Sequence, residues 1–304
     1  MRIGIDLGGS KIEGIVIDDL GVERLRRRVP TPVGDYDRTI STIRDVVIAL
    51  ERDVGKQASV GIGIPGSLSP ESGRVRNANA TWLNGRRLDH DLSAALARPV
   101  RVANDANCFA QSEALDGAAA GADIVFGVIL GTGVGGGIVV RGRVLTGKNA
   151  ISGEWGHNPL PWALPAESPG HECYCGRRGC IETYLSGPAL SRDHQNRSGL
   201  SLTPDEIDNR AKDGCRTAKE ALDVYVERLA RSLASVINVL DPDAIVLGGG
   251  VSNLACLYDT VPDLLPTWVF SDHVTTRIVR NRHGDSSGVR GAAWLWPPGQ
   301  SETL

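Results

Sequence analysis

The 304-residue sequence has no marked excess of charge of either sign. Its 33 lysine and arginine residues face 36 aspartate and glutamate residues, which gives a net charge of −3 at pH 7. Proteins that hold nucleic acid or an anionic membrane surface use basic arms or long basic runs to neutralise phosphates, and the sequence contains neither. We therefore expect no nucleic acid and no membrane among its partners.

Long apolar runs are also lacking. No stretch approaches the roughly 20 apolar residues that cross a bilayer, and the start "MRIGIDLGGSK" does not have the charged-then-apolar pattern of a signal peptide. We expect a cytoplasmic protein. Since cytoplasmic thiols stay reduced, the three cysteines of "HECYCGRRGCIE" (171–182) predict metal binding or redox chemistry rather than structural disulfides.

Short β-branched runs alternate with amphipathic stretches along the chain. Runs such as "RIGID", "SVGIGIP", "DIVFGVILG" and "DAIVLGGG" predict strands, while 36–54, 90–97, 106–120 and 217–240 predict helices. This alternation indicates an α/β fold with covered sheets. The length is near the point at which a single core divides, so two lobes are as plausible as one domain.

An internal repeat relates two glycine-containing segments. "IGIDLGGSKIEGIVID" (3–18) and "FGVILGTGVGGGIVVR" (126–141) align at one constant offset, and each has the order strand, glycine turn, strand. Two unrelated hairpins would also give this pattern, because glycine turns between apolar strands are common. A duplicated lobe explains it better, since consecutive free N–H groups in two such turns would hold a polyphosphate. Neither turn has the context of a Rossmann or Walker loop.

A third glycine turn, "LGGG" (247–250), follows the apolar strand "AIVL". At the carboxyl end of a strand it could receive the base or ribose of a nucleotide. Close packing at the start of a helix is an equally adequate explanation.

The segment "VRVANDANCFAQSEAL" predicts a strand that ends at Asn104 and Asp105, followed by a helix. The Asp105 carboxylate could simply cap that helix. At the end of a strand it could instead accept a proton from a substrate hydroxyl.

Cys173, Cys175 and Cys180 supply three soft ligands in a Cys-x-Cys-x4-Cys spacing. A structural zinc ion takes four Cys or His ligands in tetrahedral geometry. The fourth ligand could be His157 of "GEWGH" or His171 within the cluster itself. Cys108, Cys215 and Cys256 occur singly in predicted helices, where a buried thiol acts as a small apolar residue.

The motifs "DLGGSK", "GIGIPG", "NDANC", "GTGVGGG", "GEWGH", "CYCGRRGCIE" and "IVLGGG" occur in the order of the ROK family of sugar kinases and related repressors. The sequence resembles this family over nearly its whole length. The resemblance implies an actin- and hexokinase-like ATPase fold with ribonuclease H-like duplicated lobes. We expect an N-terminal lobe at 1–120 and a C-terminal lobe at 121–304, with a zinc-binding segment at 157–180 and a C-terminal helix that packs back on the first lobe.

The resemblance also implies roles for individual residues. Asp105 matches the catalytic base of the family, and Asp6 matches an aspartate near the Mg²⁺ that accompanies ATP. His157, Cys173, Cys175 and Cys180 match its zinc ligands, which leaves out His171. The implied sugar contacts are Asn79, Asn104, Asp105, Glu154, His157 and Glu182, and the implied ATP-binding residues are Gly8, Gly9, Ser10, Lys11, Gly131, Thr132, Gly133, Gly248, Gly249 and Gly250.

The implied activity is ATP-dependent phosphorylation of a hexose, with Mg²⁺ and a structural zinc ion. "NANATWLNG" and "NPLPW" are most similar to fructokinases, which favours the 6-hydroxyl of D-fructose, with mannose as a second substrate. A glucose or N-acetylglucosamine kinase is the alternative, and a sugar-sensing regulator without catalysis belongs to another class. ROK repressors carry a DNA-reading region before the first strand, which here begins at Arg2, so we expect a kinase. ROK kinases are often dimers, and we expect a homodimer.

Overall fold

The computed structural model describes residues 1–284 and 287–296. Two five-stranded mixed sheets form its framework, with the strand orders β3-β2-β1-β4-β7 and β10-β9-β8-β11-β12. The strands are β1 (Arg2–Leu7), β2 (Lys11–Ile17), β3 (Glu23–Pro30), β4 (Ser59–Ile64), β5 (Ser67–Leu68), β6 (Val75–Arg76), β7 (Val100–Asn104), β8 (Ile124–Leu130), β9 (Val134–Val140), β10 (Arg143–Val144), β11 (Ala244–Gly248) and β12 (Arg277–Arg280).

The helices alternate with these strands, as an α/β fold requires. They are α1 (Tyr36–Val54), α2 (Leu88–Leu96), α3 (Asp105–Leu115), α4 (Glu182–Leu185), α5 (Gly187–Ser198), α6 (Pro204–Lys212), α7 (Arg216–Leu240), α8 (Cys256–Trp268) and α9 (Ser287–Trp294). In the described part of the chain, no helix is both long and apolar enough to cross a membrane.

The sequence repeat is also a repeat in structure. Its first copy forms β1 and β2, which open the first sheet, and its second copy forms β8 and β9, which occupy the equivalent positions in the second sheet. In each sheet the first strand of the hairpin then pairs in parallel with a later strand, β4 in one case and β11 in the other. The two glycine hairpins are therefore duplicated elements rather than unrelated turns.

The described residues fall into two compact units, each discontinuous in sequence. The first contains Met1–Gly121, Gly137–Ser152 and 287–296, and the second contains Ala122–Gly136 and 153–284. The expected lobes divide the chain only once, after residue 120, and that boundary stays a proposal.

The sheet of the first unit is covered on both faces. Helix α1 contributes apolar side chains to a core with β1, β2 and β4, while Val289, Ala293 and Trp294 of α9 pack against Ile15 and Ile17 on the other face. Helix α9 approaches so closely that a Cβ at Gly4 would overlap the carbonyl group of Val289. Burial of both faces explains why these strands are continuous apolar runs.

In the second unit, a buried ion pair holds the proline-rich loop 158–172. Arg231 of α7 is fully buried, and its Nη2 lies 3.0 Å from both carboxylate oxygens of Glu167. Arg228 Nε donates to the same carboxylate at 2.7 Å, and Arg231 Nη1 donates to the carbonyl oxygen of Trp162 at 2.6 Å. The loop is irregular but firmly attached to the longest helix.

Candidate active site

In the first unit, β7 leads directly into α3 at Asn104 and Asp105. Asn104 is the N-cap of the helix: its Oδ1 accepts from the amide of Ala106 at 2.9 Å, and its Nδ2 donates to the carbonyl of Gly66 at 3.0 Å. Asp105 is the first helical residue, and its exposed carboxylate also accepts from the Ala106 amide at 2.8 Å. Asn104 is therefore the N-cap residue, and the exposed Asp105 carboxylate shares the same amide donor.

Asp6 lies opposite Glu13 in the β1–β2 pair, so two carboxylates share one face of the sheet. Burial, followed by the negative charges of Asp105 and Glu13, raises the pKa of Asp6 from 3.8 to about 6 against a smaller opposing effect of Lys11. Lys11 Nζ lies 3.5 Å from Glu13. Carboxylate oxygens are ligands that Mg²⁺ prefers, and the carboxylate of Asp6 lies close to that of Asp105.

The turn between β1 and β2 is tight and open to solvent. The amide of Gly8 donates to the carbonyl of Lys11 at 3.0 Å, and the hydroxyl of Thr31 donates to the carbonyl of Gly8 at 2.8 Å. Gly9, Ser10 and Lys11 are exposed. The turn therefore presents backbone and a cation to solvent, which suits a phosphate.

Asn79 is exposed in the loop that follows β6, between buried Ala78 and Ala80. The loop is held from within by Asn84, whose Oδ1 accepts from the Ala78 amide at 3.0 Å and whose Nδ2 donates to the Ala78 carbonyl at 2.9 Å. This two-bond clamp fixes the backbone beside Asn79.

In the second unit, His157, Cys173, Cys175 and Cys180 form one cluster, and their ligand atoms all lie within 4.8 Å of one another. The Sγ atoms of Cys175 and Cys180 are 3.6 Å apart, and Cys173 Sγ lies 3.5 Å from His157 Nδ1. Tetrahedral zinc with ordinary bond lengths requires about 3.8 Å between two sulfur atoms and about 3.5 Å between sulfur and nitrogen. The residues therefore fit zinc, whereas His171 packs against the ring of Tyr184 instead.

Short backbone hydrogen bonds shape this cluster. Cys173 N donates to the carbonyl of Arg177 at 2.8 Å, and Leu160 N donates to the carbonyl of Gly179 at 2.9 Å. Desolvation raises the pKa of Cys180 to about 12, while a backbone hydrogen bond at Arg177 lowers the pKa of Cys175. A cation would have to displace protons from the buried thiols, so its affinity rises with pH.

The second ring nitrogen of His157 also has a partner. Its Nε2 lies 2.9 Å from the hydroxyl of Tyr174, and the two rings meet edge to face with centroids 5.1 Å apart. Desolvation, followed by the charges of Glu182, Cys173 and Glu154, raises the pKa of Tyr174 to about 12. The Tyr174 phenol thus contacts His157 and lies within the electrostatic influence of Glu154 and Glu182, and the sequence did not single it out.

A cavity of about 410 Å³ lies in the same unit. Its lining brings together residues from both predicted glycine turns of this unit, Gly131 and Thr132 from one and Gly250 from the other. The remaining lining residues were missed from the sequence: Gly187, Pro188, Ser191, Pro204, Asp205 and Val251. They belong to α5, to the start of α6 and to the segment after β11, which carry no recognisable motif.

Three of the predicted ATP-binding glycines of this unit do not line this cavity: Gly133, Gly248 and Gly249. Gly249 has φ of 82°, and a Cβ there would overlap the carbonyl of Leu130, so its backbone already requires glycine. The close-packing explanation of the third glycine turn therefore applies to Gly249, and the ligand explanation fits Gly250.

The predicted site residues are divided between the two units. Asp6, Asn79, Asn104 and Asp105 belong to the first, and Glu154, His157 and Glu182 belong to the second. Trp155, next to the predicted sugar contact Glu154, is buried and donates from Nε1 to the carbonyl of Gly135 at 2.9 Å, which makes it a core residue. Trp82 is partly buried.

Duplicated five-stranded sheets, each opening with a glycine hairpin, define a hexokinase-like α/β fold. The profile of the ROK family matches residues 2–298, and the chain belongs to this family. The fold class expected from the sequence is confirmed.

Curated relatives and solved structures agree with this assignment. The chain is 41% identical over 299 residues to an N-acetyl-D-glucosamine kinase of Shigella flexneri serotype 5b, covering 97% of this chain and 99% of the relative. A ROK hexokinase structure from Thermus thermophilus has a TM-score of 0.86 at 30% identity and 97% coverage of both chains. A ROK glucokinase from Streptomyces griseus in complex with glucose and AMPPNP has a TM-score of 0.77 at 27% identity, covering 98% of this chain and 99% of that one.

Proposed function

We propose that the protein is an ATP-dependent sugar kinase that phosphorylates the 6-hydroxyl of N-acetyl-D-glucosamine. The observation that carries this proposal is the full-length similarity to N-acetyl-D-glucosamine kinases at about 40% identity. The sequence motifs favoured D-fructose, with a glucose or N-acetylglucosamine kinase as the alternative. The relatives support that alternative better, so fructose and mannose now rank below it.

Asp105 is the proposed general base. Its carboxylate is exposed at the start of α3, immediately after the N-cap residue Asn104. A carboxylate placed beside a substrate hydroxyl accepts the proton as that oxygen attacks phosphorus. Asn79 and Asn104 complete the proposed sugar contacts of the first unit.

Two segments are proposed to bind nucleotide, each within its own unit: the turn at residues 8–11 in the first, and the cavity lined by Gly131, Thr132 and Gly250 in the second. Bound Mg²⁺ would offset the negative charge on the transferring phosphoryl group. Asp6 is the residue proposed to hold it. The acidic neighbourhood that raises the pKa of Asp6 is the one that a divalent cation would neutralise.

The proposed zinc site has a supporting role. With the metal on Nδ1 of His157, Nε2 must carry the proton and can donate to a sugar hydroxyl. Glu154 and Glu182, whose charges both act on the neighbouring Tyr174, offer acceptors. Such a set of donors and acceptors suits a polyol, because hydroxyl groups do both. A cytoplasmic location and a homodimer remain part of the proposal.

A coupled ADP-release assay tests the proposal with ATP, Mg²⁺ and a panel of N-acetylglucosamine, glucose, mannose and fructose. We expect the highest kcat/KM with N-acetylglucosamine. A preference for fructose would restore the first expectation and keep the kinase mechanism. If protein shown to contain zinc released no ADP with any of these sugars, the result would favour a sugar-sensing regulator.

A further inference from the structure

Tyr174 stands between two of the clustered cysteines and is 85% exposed. Exposed tyrosines normally turn the hydroxyl to water, but this one lies against the ring of His157 in an edge-to-face contact. Its hydroxyl is 2.9 Å from Nε2, the ring nitrogen that faces away from Cys173. If Nδ1 of His157 binds a metal, Nε2 is the ring nitrogen that remains for another ligand. The Tyr174 phenol covers this Nε2 atom.

One N–H group makes one well-aligned hydrogen bond. If Nδ1 holds a metal, Nε2 is a donor, and the phenol oxygen is its acceptor. A sugar hydroxyl accepting from the same N–H would need its oxygen within about 3 Å of Nε2 along nearly the same direction. The phenol oxygen already occupies that position, so the Tyr174 hydroxyl and a sugar hydroxyl cannot both accept from Nε2.

Little holds the tyrosine in place apart from this contact. Because most of its surface is exposed, its departure uncovers little apolar area, and rotation about its side-chain bonds is sufficient to remove it. The neighbouring Cys173 and Cys175 belong to the metal cluster, so the backbone that carries the tyrosine stays fixed when the side chain moves.

We propose that Tyr174 is a gate on the sugar site, whose hydroxyl occupies the place of a sugar hydroxyl on His157 and is displaced when sugar binds. The proposal rests on the proposed function, because it takes His157 as a sugar contact. The gate lowers the affinity for every sugar that uses His157 and keeps the imidazole oriented in the free enzyme.

The experiment removes only the phenolic oxygen. Tyr174→Phe retains the ring and its contact with His157, while Tyr36→Phe is a matched control that deletes a hydroxyl bonded to Asp91 at 2.7 Å in the first unit. Binding of N-acetylglucosamine is measured by calorimetry without nucleotide, on protein with verified zinc content. A net hydrogen bond of ordinary strength corresponds to about 2- to 10-fold in affinity, so we expect the Kd of Tyr174→Phe to fall by that factor.

A second readout follows the contact itself. In ¹⁵N-histidine spectra without sugar, Tyr174→Phe should shift the Nε2 resonance of His157, and saturating sugar should bring wild type and variant to the same value. An unchanged or weakened sugar affinity in Tyr174→Phe would overturn the gate, as would failure of the wild type to bind the sugar. Tighter binding by the variant without phosphoryl transfer would leave the gate intact and overturn the proposed kinase activity.

Discussion

The carboxylate of Glu182 accepts a hydrogen bond from the backbone amide of Val134, with 2.9 Å between Oε2 and N. Val134 begins β9, immediately after the glycine turn that lines the proposed nucleotide cavity, and Glu182 follows the last cysteine of the metal cluster. Gly187 N adds a second link to the carbonyl of Gly131 at 2.7 Å. The proposed sugar-binding and phosphate-binding segments of the second unit are thus joined by direct hydrogen bonds.

The hydrogen bond between Glu182 and Val134 predicts that Glu182→Ala weakens the binding of both sugar and ATP. Hydrogen bonds to charged groups contribute about 1.5–3 kcal/mol, so we expect KM to rise about 10-fold or more for both sugar and ATP. Glu172→Ala is the matched control, since that exposed glutamate of the same segment pairs only with Arg178 among its described contacts. Steady-state kinetics with each substrate varied in turn measures both KM values. A change in the sugar KM alone would contradict the prediction.

Asp105→Asn should keep binding and lose turnover. The amide cannot accept the hydroxyl proton, and loss of a general base lowers kcat by about 10²- to 10⁴-fold. Asp35→Asn is the control, because Asp35 caps α1 and asparagine caps a helix equally well. ADP release gives kcat, and calorimetry gives the sugar affinity. Activity near wild type in Asp105→Asn would remove this residue from the mechanism.

Cys175→Ser should lose the metal ion. We expect about one zinc per chain in the wild type by mass spectrometry, and substoichiometric zinc together with weaker sugar binding in the variant, because His157 loses its fixed orientation. Cys215→Ser changes a cysteine outside the cluster and should retain both properties. Purified wild-type protein without zinc would rule out the proposed site.

The pKa of Asp6 predicts a pH-dependent stability in magnesium-free buffer. The folded state holds this proton up to about pH 6, whereas the unfolded chain releases it near 3.8. The folded state therefore binds more protons in this window, and the free energy of unfolding falls as pH rises from about 4 to 6. The effect of this group is about 1–3 kcal/mol.

Urea unfolding at pH 4.5 and 7.5 measures this effect. Relative to wild type, Asp6→Asn should gain stability at pH 7.5 and little at pH 4.5, because the amide carries no charge at either pH. The control is Asp45→Asn, an exposed carboxylate beside Arg44. An equal change at both pH values would show that the Asp6 carboxyl is not desolvated.

The two hydrogen bonds between Asn84 and Ala78 predict that a substitution at Asn84 raises the KM for sugar but not the KM for ATP. Asn84→Ala breaks both bonds to Ala78, and we expect the sugar KM to rise about 5- to 20-fold with the ATP KM unchanged, since two ordinary hydrogen bonds are lost. Asn84→Asp keeps the acceptor for the Ala78 amide and should recover part of the loss. If Asn84→Ala left sugar kinetics intact, Asn79 would not depend on the clamp.

Much of the framework could be predicted from the sequence because local pattern and tertiary structure agree there. Both glycine hairpins, the strand at 244–248 and the helices at 36–54 and 216–240 correspond to clear apolar periodicities. The helix predicted at 106–120 ends instead at Leu115, since Asp116 and Gly117 favour termination. Strand β3 was missed because its "RLRRR" run is mostly exposed at a sheet edge and shows no alternation.

The site was less accessible to sequence reasoning. The cysteine spacing predicted three metal ligands, and the resemblance to the ROK family selected His157 over His171 as the fourth. The structure brings the ligand atoms of these four residues together. The cavity residues Ser191 and Asp205 lie on short helices whose polar composition carries no signal. The contacts of Tyr174 with His157 and of Asn84 with Ala78 form only in the folded loops, so no spacing rule identifies these residues.

The ion pair of Glu167 with Arg231 bears on how far the second unit would depend on the proposed zinc ion. It attaches the loop before the cysteines to α7 through residues that are not among the four candidate metal ligands, and the bridge between Pro159 and Cys180 joins the start of that loop to the candidate metal cluster. Removal of the proposed ion would therefore leave the loop attached to α7. Loss of metal would then affect the proposed sugar site around His157 more than the anchoring of this loop.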